Sequence, residues 1–210
     1  MEHISKIISD KLLEIKAIKL STKNYFTWAS GWFSPIYCDN RKTLSFPKIR
    51  NLIRDSFIEI INENFNNFDV IAGVATGAIA HGVLVADKME KPFIYVRPQA
   101  KTHGMENQIE GDLQKGQKVL VIEDLISTGS SSMNAINAIK DFGCVVVGMV
   151  AIFSYNFTQA FDCFEKNEIN LYTLTNYNDL INRALKIGNI TKEDVQMLKE
   201  WRISPETWNK

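Results

Sequence analysis

Residues 119–132 read VLVIEDLISTGSSS, and the order of residue types in this stretch decides the architecture. Val119 to Ile122 run without a polar break, as in a strand buried on both faces of a parallel sheet. Two adjacent carboxylates follow, Glu123 and Asp124, then Leu125 and Ile126, then a turn of hydroxyls and glycine from Ser127 to Ser132. An amphipathic pattern over 131–142 completes a strand–turn–helix unit. A hydroxyl- and glycine-rich turn opening a helix is a cradle for phosphate, because its amides point at the anion and the helix end is positive. Paired carboxylates do not suit an anion alone. They suit a ligand that also carries sugar hydroxyls, which donate to carboxylates. A capping run of serines beside surface acids is the plainer reading, and the buried strand leading straight into the acids argues against it. Neither GxxxxGK[ST] nor GxGxxG occurs in the chain.

Working outward, residues 69–74 (DVIAGV), 93–97 (FIYVR), 145–153 (VVVGMVAIF) and 171–174 read as further strands. Helical patterns alternate with them at 78–89, 157–166, 178–187 and 191–200. Alternation of this kind predicts an α/β fold with a central, mainly parallel sheet flanked by helices. Ligands collect at the carboxyl ends of such strands. Three unusual segments fall there: Ala75-Thr76-Gly77, the polar stretch 98–116, and the residues after Ile122. The 98–116 stretch contains Gly104, Gly111 and Gly116, lacks periodicity, and reads as a long binding loop. Before the first strand, Ile4, Ile7, Ile8, Leu12 and Ile15 line one face of a helix over 3–17. Residues 25–41, YFTWASGWFSPIYCDNR, read as loops and short strands. Ser45 is the expected cap of the next helix, with Pro47 in its first turn and Ile49, Leu52, Ile53, Phe57, Ile60 and Ile61 on its inner side.

The bulk composition bounds the function. The 210 residues suit one domain, and 24 basic residues against 24 acidic ones give no broad basic surface for nucleic acid. No apolar run approaches a membrane span, and the amphipathic first residues are not a secretory signal. Three cysteines without metal-ligand spacing read as reduced thiols, two or more of them packed inside, in a cytoplasmic protein.

The stretch 119–131 resembles the signature of type I phosphoribosyltransferases, which bind 5-phosphoribosyl-1-diphosphate (PRPP). The match runs through four apolar residues, two acids, two apolar residues and a small-residue phosphate loop. The resemblance implies the type I phosphoribosyltransferase fold with a small amino-terminal hood. It also implies a PRPP site formed by Glu123, Asp124, Leu125, Ile126, Ser127, Thr128, Gly129, Ser130 and Ser131. The acids would hold the ribose hydroxyls, and the turn the 5-phosphate.

Two further segments narrow the family. Arg97-Pro98-Gln99-Ala100-Lys101-Thr102-His103-Gly104 gathers cations that neutralise a departing polyanion. It resembles the catalytic loop of orotate phosphoribosyltransferases, as does NQIEG at 107–111. The resemblance implies that Arg97, Lys101 and His103 contact the diphosphate, across the interface of a homodimer. The pattern FTxxSGxxSPIYxDxR over 26–41 is similar to the hood of the same family. Tyr37 then belongs to the wall of the orotate site, and Ser127 meets the base as well as the phosphate turn. Arg41 suits either the orotate carboxylate or a structural ion pair.

The expectation is one phosphoribosyltransferase domain over 1–210, with a hood over 1–45 and a flexible catalytic loop over 98–116. The catalytic residues would be Lys101, His103 and Asp124. Mg2+ would arrive bound to PRPP, with no metal cage built by the protein alone. The alternatives are a phosphoribosyltransferase for another base and a PRPP-sensing regulator. Departures from common family patterns at Ala29, Thr76-Gly77, Pro98 and Ser154-Tyr155 remove positive charge and leave the orotate contacts open.

Overall fold

The computed structural model describes residues 2–28, 30–99 and 108–208. The chain enters through α1 (Glu2–Glu14), then four short strands: β1 (Ile18–Leu20), β2 (Phe26–Thr27), β3 (Phe33–Ser34) and β4 (Ile36–Cys38). A 3-10 helix (Asn40–Ser45) and α2 (Pro47–Asn64) follow. The alternating part runs β5 (Val70–Val74), α3 (Ile79–Lys88), β6 (Phe93–Val96), β7 (Ile109–Glu110), β8 (Lys118–Ile126), α4 (Ser130–Asp141), β9 (Val145–Ser154), α5 (Thr158–Lys166) and β10 (Leu171–Asn176). α6 (Tyr177–Lys186) and α7 (Lys192–Ile203) close it.

Six strands form the central sheet in the order β10-β9-β8-β5-β6-β7. All neighbours are parallel except β7, which runs antiparallel to β6. The mainly parallel sheet predicted from the apolar runs is therefore present. β1 pairs with β4 and β2 with β3, both antiparallel.

Side chains of a strand alternate between faces, so the sheet divides the interior in two. Along β8, Leu120 and Ile122 join a core with α1, α2, α3, α6 and α7. Val119 and Val121 join a second core with α4 and α5. No helix among the described residues is long and apolar enough to cross a membrane.

Four local expectations need correction. Ser45 does not cap α2: it lies in the 3-10 helix, and Phe46 is the cap residue without a side-chain bond. Pro47 starts α2 instead, where its missing N–H costs nothing. The polar stretch 98–116 is not loop throughout, because Ile109 pairs with Val96 and Glu110 with Tyr95. β8 does not stop at Ile122; it continues to Ile126 and carries both acids within it. Of the cysteines, all free, Cys144 is buried, while Cys38 and Cys163 pack partly exposed against the two cores.

Candidate active site

β8 positions the acids. Its alternation sends Glu123 and Asp124, though adjacent, to opposite faces. Glu123, 4% exposed, lies against α4: its Oε2 accepts from Ser132 Oγ at 3.1 Å, and its Oε1 from the Asp124 amide at 2.9 Å. Burial, with the Asp124 charge adding to it, pushes the Glu123 carboxyl well above the ordinary range. Asp124 is half-buried on the other face. Burial raises its pKa too, opposed by hydrogen bonding to the Glu123 side chain and to the main chain and, less, by the Arg41 charge.

Two backbone features hold Asp124. Its carbonyl accepts from Asn40 Nδ2 at 2.5 Å. Its carboxylate lies against Gly77, so close that a Cβ there would overlap the carboxylate atoms. Gly77 belongs to the turn after β5, in which the Ala75–Thr76 peptide is cis.

The hydroxyl turn leads from β8 into α4. Gly129 carries φ +84°, the left-handed conformation that glycine adopts without steric cost, and α4 starts at Ser130. Thr128 Oγ1 and Ser130 Oγ are 3.1 Å apart. The turn thus presents hydroxyls and the first amides of a helix to one region, which is the chemistry of a phosphate site. Ile126 is fully buried, and its carbonyl accepts from the Tyr155 amide at 3.0 Å, so it fixes the end of β8 beside the turn.

Beside the turn lies an open cavity of about 600 Å³. Trp28, Trp32, Tyr37 and Tyr155 give it aromatic walls, Leu125 and Cys38 add apolar surface, and Ser127 and Thr128 bring hydroxyls to its edge. Trp28 is fixed by its Nε1 donating to the Ile36 carbonyl at 3.1 Å. It stacks on Trp32 (centroids 6.3 Å apart) and packs on Tyr155 (5.1 Å). Behind them Trp201 of α7, fully buried, packs on Trp28 and Tyr155 and donates to the Phe33 carbonyl at 3.1 Å. Such a cavity takes a flat, largely apolar ring with polar edges.

Sequence reading named Tyr37 and Ser127, and both border this cavity. It missed Trp32, Tyr155, Cys38, Asn40 and the use of Gly77. Tyr155 had a signal, since it stands just past the carboxyl end of a central strand. The part of 1–45 that borders the cavity lies between Thr27 and Cys38, whereas α1 packs against β10 and α6.

The cations divide. Arg41, open between two partners on sequence, pairs with Asp39 at 2.7 Å. Arg97 pairs with Glu110 at 3.5 Å, and its main chain bonds to Gln108, so it sits at the base of the β6–β7 connection. Lys101 and His103 lie outside the described residues.

The phosphoribosyl transferase domain family matches residues 43–169, more than half of the chain. The orotate phosphoribosyltransferase of Porphyromonas gingivalis is 56% identical over 208 residues, covering 99% of both chains. This chain belongs to the orotate phosphoribosyltransferase family. The relative from Listeria innocua is 52% identical, again over 99% of each chain. Among solved structures, the Aeropyrum pernix orotate phosphoribosyltransferase superposes with a TM-score of 0.76 at 25% identity, covering 88% of this chain and 99% of that one. Leishmania donovani UMP synthase gives 0.78 at 27% identity, covering 94% of this chain and 42% of that longer one. The type I phosphoribosyltransferase fold expected from the 119–131 signature is thus shown. Of the departures noted in the sequence, Gly77 lies against the Asp124 carboxylate and Tyr155 lines the aromatic cavity.

Proposed function

We propose that the chain transfers the 5-phosphoribosyl group of PRPP to N1 of orotate, giving orotidine 5-phosphate and diphosphate, in pyrimidine (UMP) biosynthesis. One observation carries the reading. Ser127 and Thr128 belong both to the helix-opening hydroxyl turn and to the rim of the aromatic cavity, with Asp124 on the strand leading into them. A hydroxyl turn, a carboxylate and an aromatic cavity adjoin one another, which suits a ligand that carries phosphate, sugar and planar base together.

In this reading the amides and hydroxyls of residues 127–131 bind the 5-phosphate, and the Asp124 carboxylate accepts from the ribose hydroxyls. Glu123 buttresses the strand from the opposite face and fixes the start of α4 through Ser132. Tyr37, Trp28 and Trp32 enclose the base. The sugar passes through an oxocarbenium-like state, so charge stabilisation and positioning do most of the catalysis. Lys101 and His103, joined by Arg97, stabilise the departing diphosphate, and the 98–116 loop excludes water from PRPP. The donor set fits Mg2+ carried on the substrate, because Asp124 offers a hard carboxylate on the strand leading into the hydroxyl turn. Asp124 is the residue that would meet the ion, whose charge would offset that of the diphosphate. The active unit is a homodimer in which the loop of one subunit serves the site of the other, acting in the cytoplasm.

The test is the ultraviolet absorbance of orotate followed with enzyme, PRPP and Mg2+. A fall that requires every component, with orotidine 5-phosphate identified as product, is the expected result. No fall, in protein that still binds PRPP, overturns orotate as the substrate and leaves the PRPP site standing.

A further inference from the structure

Between the 3-10 helix, α2, α3 and the end of β8 lies a buried polar chain that the reaction outlined above does not use. Asn40 (1% exposed) donates from Nδ2 to the Asp124 carbonyl at 2.5 Å. Thr43, fully buried, donates from Oγ1 to the Asn40 carbonyl at 2.5 Å. His81 of α3, 1% exposed, lies with Nε2 3.1 Å from the same Thr43 oxygen. The single Thr43 proton is committed to Asn40, so His81 is the donor to Thr43, and its Nδ1 carries no proton. Burial, with the Arg50 charge adding, brings His81 down to about 4, in keeping with a neutral ring.

The chain is only partly paired within the described residues. Asn40 Oδ1, His81 Nδ1 and Arg50 Nε are buried without a hydrogen-bond partner. Each unpaired polar atom costs about 1–3 kcal/mol, and an apolar cluster of the same volume would avoid the cost. The chain ends where the sheet offers least support. β5 ends at Val74 and its register with β8 stops at Ile122, whereas β9 follows β8 to Ile126. Asp124 thus stands on the part of β8 that has lost one of its two neighbouring strands, and Asn40 supplies a donor there.

We propose that Asn40 is a positioning residue for the reaction: its side-chain amide holds the main chain of Asp124, and Thr43 with His81 holds Asn40. The inference rests on the reading of Asp124 as the ribose-binding carboxylate. It links the segment that borders the base cavity to the strand that meets the sugar, through one side chain.

The experiment is a double-mutant cycle on the full chain. PRPP affinity is measured by calorimetry with Mg2+ for wild type, Asn40→Ala, Asp124→Asn and the double variant. Asn40→Leu, which roughly keeps the volume and removes the donor, stands in if Asn40→Ala fails to fold. Loss of one such hydrogen bond weakens PRPP binding about tenfold in the wild-type background and less than about twofold in the Asp124→Asn background. Equal losses in both backgrounds, or none in the wild type, overturn the positioning role while leaving the site reading intact. Unchanged PRPP binding and turnover in Asp124→Asn alone overturn that reading, and the role of Asn40 with it.

Discussion

Gly77 shows how a small residue can define an acidic one. A Cβ at this position would overlap the Asp124 carboxylate, so Gly77→Ala must displace the acid or the turn. Overpacking of this kind costs about 1–3 kcal/mol. The expected result is a PRPP-dependent rate reduced at least about tenfold in a protein that still folds, checked by kinetics beside a thermal melt; a normal rate would show that Asp124 need not stand where it does. His81 carries a second prediction. Its folded value of about 4 lies below the ordinary 6.5, so between these pH values the unfolded chain binds a proton that the folded chain refuses. Stability therefore falls as pH drops through that window, by up to about 3 kcal/mol from this residue. Glu123 and Asp124, raised by burial, contribute in the opposite sense, so the test is a difference. Urea midpoints of wild type and His81→Gln at pH 7 and pH 4.5 should show a shallower decline for the variant. Identical declines would remove His81 from the balance. Of these residues, Asp124 and the hydroxyl turn were legible in sequence because their meaning lies in consecutive positions. Gly77 and Asn40 were not, because each takes its role from a partner 47 or 84 positions away.

At the level of elements, the buried strands and the helices between them were readable because apolar runs and helical spacing are local signals. The errors came where tertiary contacts overrode them. β7 is two residues long and exists through its pairing with β6, so nothing within it announces a strand. The acids extend β8 because β9 remains beside it as far as Ile126. α7 had no role on sequence, and the fold gives it one. Thr191 and Asp194 form a capping box at its start, and Trp201 near its end supports the aromatic wall of the cavity. Trp201→Phe keeps an aromatic ring and removes the donor to Phe33. The loss of about 1 kcal/mol should appear as an orotate KM raised about threefold or more, with the PRPP KM within about twofold. Equal changes in both constants would mean that α7 supports the fold at large and not the base wall.

The whole molecule is organised around one sheet with two cores, and the acids, the hydroxyl turn and the aromatic cavity lie at the carboxyl ends of its central strands. The proposed homodimer makes a prediction at this scale. Lys101→Ala and Asp124→Asn, each nearly inactive alone, should regain activity when mixed, because some hybrid sites combine an intact loop with an intact carboxylate. A return of about a quarter of the wild-type rate is expected if subunits exchange at random and one site of each hybrid is whole. No recovery after exchange is verified by mass spectrometry would confine loop and carboxylate to the same subunit. The contact between Trp201 and Phe33 spans 168 positions of the chain. A ribosome delivers Phe33 early and Trp201 near the end of synthesis, so the amino-terminal segment waits for its support while the whole of the sheet is made. The aromatic cavity is therefore among the last features to be completed as the protein is born, and a nascent chain that already holds its hydroxyl turn still lacks a finished wall beside it.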